Sequence, residues 1–207
     1  MVIAARDLKK TYDRVPVFEH LSFEICSGET LGIQGPNGSG KSTLMKLIAG
    51  VATPTSGTVS YLQNGMPIEK TEQIRYIGFV APYLQFYSEL TGLENVLFSL
   101  RARGIMPDMN RIKSLFEHFA LSTAYQKRVQ TYSSGMLQRL RLVQAFAANP
   151  PVCLLDEPTA TLDESGVALL WQYLDGYRKD AILIVASNDA RDFARCTQML
   201  RIEDFKP

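Results

Sequence analysis

Residues 35–42 read GPNGSGKS, a full match to G-x-x-x-x-G-K-[ST]. The string is flanked by TLGIQ, a short apolar strand, and by STLMKLIAG, which has helical apolar spacing and a glycine stop. This context constrains the fold more than any other feature, because a strand that turns through glycines into a helix N-terminus is a ready-made anion cradle. Gly35, Gly38 and Gly40 let the backbone turn sharply and bring its N–H groups close to phosphate. Residues Gly35, Pro36, Asn37, Gly38, Ser39, Gly40, Lys41, Ser42 and Thr43 are therefore read as the phosphate-binding set. Within it, Lys41 places a point charge on the β- and γ-phosphates, and Ser42 offers a hydroxyl to Mg²⁺. The expected ligand is a nucleoside triphosphate.

Binding phosphate is not hydrolysing it, which requires a second acidic element. VCLLDEPTATLD, residues 152–163, supplies one. Asp156 ends an apolar strand and is expected to face Mg²⁺, while the adjacent Glu157 points elsewhere, placed to orient an attacking water as base. Two carboxylates after four apolar residues would be costly to bury without a cation.

Around these motifs, strands and helices alternate, which implies a parallel sheet with crossover helices and an α/β class. Residues 1–34 read as β-rich, with VPVFEHLSFEI as a half-buried strand, and SGTVSYL and IRYIGFV read as further strands. From residue 84 to 148 the pattern turns helical: TGLENVLFSLRARG with a Thr N-cap, DMNRIKSLFEHFAL, and SSGMLQRLRLVQAFAANP capped by serine. A strand VCLLD, a helix over 164–177, the strand AILIVAS, a short helix and a last strand near 197–202 complete the order.

Composition narrows the function classes. With 207 residues, 46% hydrophobic and 21% charged, the chain can bury a full core as one domain. A formal net charge of +1 gives no bulk reason to expect nucleic acid. Cys26, Cys153 and Cys196 are odd in number and far apart, arguing against a disulfide framework, and His20 and His118 are isolated. No apolar run approaches the ~20 residues that span a bilayer, and MVIAARDLKK does not read as a leader. A soluble, cytoplasmic protein is expected.

Taken in order, the motifs resemble those of the ATP-binding subunit of an ABC transporter, over essentially the whole chain: phosphate loop at 35–42, helical insertion, YSSGM at 132–136, LLDEP at 154–158, TLD at 161–163, then ILIVASND. The resemblance implies a P-loop NTPase with a RecA-like parallel-sheet core, an N-terminal antiparallel β subdomain and a helical subdomain at about 84–148. It implies ATP and Mg²⁺ as ligands, and it gives Tyr12 the role of stacking on adenine. YSSGM looks like the family signature, whose Ser133, Ser134 and Gly135 would bind the γ-phosphate held by another subunit. The implied assembly is a head-to-tail homodimer or heterodimer with ATP in the interface, Asp163 in the segment crossing between the two sites, and an integral-membrane permease as partner. The implied location is peripheral, on the cytoplasmic face of the cell membrane.

Three positions depart from the family pattern. Where a glutamine normally reaches the metal and the attacking water, the chain has Pro82, which lacks a side-chain amide, and Gln85 three residues on is the candidate metal contact in its place. The neighbouring Tyr83, Phe86 and Tyr87 are read either as a surface for the membrane partner or as packing beneath the helical lobe. In the signature, Ser134 and Met136 replace glycine and glutamine. Asn188 stands where the family has a histidine at the γ-phosphate, keeping a donor amide but unable to become a cation. Glu157, Lys41 and Asn188 are thus the expected catalytic set, with turnover slowed and no histidine-like pH dependence. The chain stops soon after Asn188, which suggests no appended regulatory domain. YSELTGLENV looks like exporter subunits, the haem-exporter type among them. The alternatives are a soluble ABC ATPase of iron–sulfur cluster assembly, or an ATP-binding subunit with little turnover.

Overall fold

The computed structural model describes residues 1–177 and 179–206. The chain opens with β1 (Val2–Tyr12) and β2 (Val15–Cys26), a hairpin whose turn residues Asp13 and Arg14 have φ of 47° and 67°. Positive φ at both positions is what a tight turn needs to match the twist of its strands. β3 (Thr30–Gln34) enters the phosphate loop, and α1 (Lys41–Ile48) leaves it. β4 (Ser56–Gln63), the two-residue β5 (Met66–Pro67), the one-turn α2 (Lys70–Gln73) and β6 (Ile77–Val80) follow. The helical lobe contains α3 (Gly92–Ala102), α4 (Met109–His118) and α5 (Ser134–Phe146). The chain then returns through β7 (Val152–Asp156), α6 (Glu164–Tyr177), β8 (Ile182–Ser187) and β9 (Gln198–Arg201).

Two sheets result. The antiparallel one has the order β2-β1-β4-β5, and the parallel one β6-β7-β8-β3-β9. β3 leaves the N-terminal subdomain for the parallel sheet, so the β-rich start of the chain is shared between both. Along β7 and β8, Val152, Leu154, Ile182, Ile184 and Ala186 face a core shared with α1 and the antiparallel sheet. The alternate residues Cys153, Leu155, Leu183 and Val185 face the core of the helical lobe and α6. A strand buried on both faces reads as a continuous apolar run, and these two do. Burial also pushes the Cys153 thiol up to about 12, consistent with an inert packing role.

The helices start where their caps dictate. Thr91 and Glu94 form a reciprocal capping box at α3, Asp108 accepts from the Asn110 and Arg111 N–H groups at α4, and Ser133 accepts from the Met136 N–H at α5. The strand expected over 74–80 is shorter. Ile74–Tyr76 forms a 3₁₀ turn, because the carbonyls of Ile74 and Ile77 are taken by the Arg103 guanidinium at 2.7 and 2.6 Å rather than by a ladder. β5 and α2 went unmarked in the residue pattern, being too short to show a period.

Candidate active site

Strand order assembles the site. β8 lies between β7 and β3, with Asp156 opposite Ala186 and Gln34 opposite Ser187. The residues just beyond those pairs, Glu157, Asn188 and Gly35, therefore emerge side by side at the C-terminal edge of the parallel sheet, the usual ligand edge of such sheets.

The phosphate loop is held in a conformation that side chains would obstruct. Gly38 and Gly40 have φ of 77° and 113°, and a Cβ on Gly40 would lie 2.5 Å from Val17 Cγ1. Val17 of β2 thus lies close against the loop at Gly40. The Tyr12 ring is 47% exposed, with Lys10 Nζ 4.5 Å from its centroid.

Lys41 is 5% exposed and donates to the Gly35 carbonyl at 2.8 Å, to the Pro36 carbonyl at 3.3 Å and to Asn188 Oδ1 at 2.6 Å. Its ammonium is 3.6 Å from Glu157 Oε1. Asn188 donates in turn from Nδ2 to Asn37 Oδ1. Ser187 Oγ and the Asn188 N–H both lie 3.4 Å from Glu157 Oε2. Glu157 itself has φ of 49°, a sparsely populated region for a non-glycine residue, and its N–H donates to the Ala186 carbonyl at 2.8 Å. Lys41, Asn188 and Glu157, the expected catalytic set, thus meet in one cluster, beside an open cavity of ≈ 540 Å³ lined by Gly35, Pro36, Asn37 and Asn188.

Asp156 is fully buried, and among the described residues no donor meets hydrogen-bond distance and angle at either carboxylate oxygen, although the Ser42 hydroxyl is near enough to act on its charge. Burial pushes its carboxyl above the usual carboxylate range. The Ser42 hydroxyl opposes this, the Glu157 charge adds to it, and Lys41 and Lys46 oppose it. An orphaned buried carboxylate beside a hydroxyl is an oxygen donor set suited to a hard divalent cation, so Ser42 and Asp156 fit Mg²⁺.

The remaining candidates are placed elsewhere. Ser133 caps α5, with Ser134 as its first helical residue. Ser134 has no positive φ, so serine in place of glycine costs no backbone strain there. Thr161 Oγ1 reaches the Ser134 carbonyl at 3.4 Å, and Gly135 faces the Thr161 carbonyl. Within this one chain, no hydrogen bond among the described residues joins 133–135 to the phosphate loop. Asp163 caps α6 through the Gly166 N–H and pairs with Arg139 at 2.6 Å; the Gly166 N–H, Arg139 and Ser165 hold its carboxyl below the usual range.

Gln85 is not brought to the cluster. It lines a groove of ≈ 310 Å³ with Ile74, Tyr87, Phe98, Arg103 and Gln144, and among the described residues no hydrogen bond ties it to Asp156 or Ser42. The three aromatics divide: Phe86 packs against the lobe core, and Tyr87 is 57% exposed. Tyr83 was missed as a site residue. Its ring takes Lys46 Nζ at 4.2 Å and meets Phe79 edge-on, and burial together with the Asp156 charge raises its phenol. The available signal was Lys46, one helical turn beyond Ser42 on α1.

A strand–phosphate loop–helix unit with paired acids at the end of β7, separated from β3 by β8, defines a P-loop NTPase fold. The chain belongs more specifically to the ABC transporter family, whose model matches residues 18–160. It is similar to a sulfate/thiosulfate import ATP-binding protein of Rhizobium meliloti (strain 1021), 36% identical over 169 residues that cover 79% of this chain and 46% of that protein. It is also similar to a Nod factor export ATP-binding protein of Rhizobium meliloti, 35% identical over 181 residues that cover 84% of this chain and 52% of that protein. The chain spans about half the length of the curated relatives it matches. Among solved structures, a dimeric post-hydrolysis ATP-binding cassette bound to ADP and Pi superposes with a TM-score of 0.85 at 26% identity, covering 99% of this chain and 95% of that one. A putative ABC transporter ATP-binding protein from Pyrococcus furiosus shares the fold with a TM-score of 0.85 at 24% identity over 100% of both chains.

Proposed function

We propose that the chain binds and hydrolyses ATP to power transport through a separate integral-membrane partner. The observation that carries this reading is the buried, unpartnered Asp156 carboxylate beside Ser42, one residue before Glu157. Magnesium, when bound, neutralises charge across the β- and γ-phosphates, and Ser42 and Asp156 are the residues that would hold it. Lys41 exchanges its contacts with the Gly35 and Pro36 carbonyls for phosphate oxygens. Glu157, fixed by its strained backbone and by the Ser187 hydroxyl, orients water toward the γ-phosphate. Asn188 donates from an amide where no proton can be gained or lost near neutral pH. Tyr12 supplies the adenine platform.

Among the described residues no hydrogen bond joins 133–135 to the phosphate loop of the same chain, which supports a head-to-tail dimer with a second ATP-binding subunit. No helix among the described residues is long and apolar enough to cross a membrane, so membrane contact on this reading comes through the partner, on the cytoplasmic face. Export is the direction we favour, on the resemblance carried by YSELTGLENV. Relatives named for import and for export match equally well and do not decide it.

Steady-state ATPase activity tests the reading. Lys41→Ala and Glu157→Gln should each lower turnover about 10²–10³-fold. Wild-type turnover no faster than that of Glu157→Gln would remove Glu157 as the base. Purification of the chain from membranes should bring down a polytopic protein; a soluble scaffold protein instead would replace the transport reading.

A further inference from the structure

We propose that Arg141 and Gln138 form a hydrogen-bonded link that sets the position of Glu157 from the position of the loop at 81–87. The inference rests on the reading of Glu157 as the base and adds to it two positioning residues on α5.

The link can be followed atom by atom. Arg141 donates from Nε to the Leu84 carbonyl at 3.1 Å and from Nη2 to the Pro82 carbonyl at 3.2 Å, so one guanidinium grips both sides of Tyr83. Its third nitrogen, Nη1, donates to Gln138 Oε1 at 3.0 Å. The Gln138 Nε2 then donates to the Pro158 carbonyl at 2.8 Å and faces the Glu157 carbonyl at 3.5 Å. Gln138 is 2% exposed and its amide has one workable orientation, because flipping it would set its oxygen against two carbonyls.

This wiring answers the problem that Pro82 raises. Proline offers neither a side-chain amide nor an N–H, so at position 82 the carbonyl is the polar group through which the loop can be linked to the site. Arg141 reads those carbonyls with a planar fork that lysine cannot reproduce. Glu157 sits next to the far end of the link in a strained conformation, φ 49°, which persists only while its surroundings hold it. The loop is also the segment that carries the exposed Tyr87, so a partner pressing there would be felt at Glu157 through two side chains.

Arg141→Met keeps the apolar stem and removes the fork. Its kcat for ATP should fall about tenfold while KM stays within about twofold, the split expected of a misplaced base. Arg141→Lys, a milder change, should fall almost as far. Gln138→Leu should match Arg141→Met, and the double variant should be no slower than the slower single, because both break one link. Hydrogen exchange gives a second readout: in Arg141→Met, peptides covering 81–87 and 157–161 should both exchange faster. Multiplicative losses in the double variant, full activity in Arg141→Lys, or faster exchange confined to 81–87 would each overturn the link. Glu157→Gln runs beside them: if it turns over like wild type, the base assignment fails first and the link loses its target.

Discussion

The ligand edge of the parallel sheet and the helical lobe are built to opposite specifications. At the edge, Asp156 is buried without a hydrogen-bond partner among the described residues, Glu157 and Gly40 hold positive φ, and Lys41 is folded back onto loop carbonyls. In the lobe, each helix start among α3 to α5 has a side-chain cap, and Phe119 and Phe146 pack with Tyr173 and Tyr177 of α6 into one aromatic cluster. The lobe is optimised for stability. The edge keeps unfavourable features that a cation and a polyphosphate would relieve, which is how a binding site differs from a core.

The contrast can be broken by substitutions that should act on one side only. Phe146→Ala removes a fully buried ring from the cluster and should cost about 3–5 kcal/mol in denaturant unfolding, with ATP affinity per folded molecule unchanged. An equal loss of affinity would mean the lobe and the edge are not separable. Asp156→Asn should do the reverse at the edge, raising the Tm of the nucleotide-free protein by about 2–4 °C at neutral pH while abolishing Mg²⁺-dependent turnover. The sign follows from the raised folded carboxyl of Asp156. The folded state holds its proton to higher pH than the unfolded chain, so stability falls as pH rises above the ordinary carboxylate range. That fall should be shallower in Asp156→Asn, and a slope equal to wild type would place the cost elsewhere.

Asn188→Ala removes the amide bridging Lys41 and Asn37 and should lower kcat about tenfold with little change in stability, read by paired kinetics and melting. Thr91→Ala, at the α3 capping box, should cost about 1 kcal/mol of stability and leave turnover unaltered. These two small effects sharpen the contrast: one should appear in kinetics alone, the other in melting alone.

Much of the site was legible because its parts are local. Residues 35–43 form one contiguous loop and helix start, Asp156 closes the strand VCLLD, and Glu157 follows it. The caps at Thr91 and Ser133 were legible for the same reason, since each donor lies within three residues of its acceptor. Gln85 shows the limit. Its nearness to Pro82 in sequence suggested a metal contact, but the loop between them is shaped by Arg141, 59 and 57 residues away from the carbonyls of Pro82 and Leu84 that it binds. Tyr83 reads from sequence as a surface residue or as packing beneath the lobe, and its place over Lys46 depends on where the loop after β6 lies relative to α1.

The sequence by itself determined the class of chemistry. Glycine spacing, one lysine and two adjacent acids point to a phosphate site and the groups proposed to hydrolyse there, because each acts over a few bonded neighbours. Only the tertiary structure decided which groups meet. Asn188 reaches Lys41 across 147 residues because β8 inserts between β7 and β3, and the Arg141–Gln138 link exists because α5 packs against β6. Strand order and helix docking are set by burial summed over whole faces, and no short stretch of chain carries that sum.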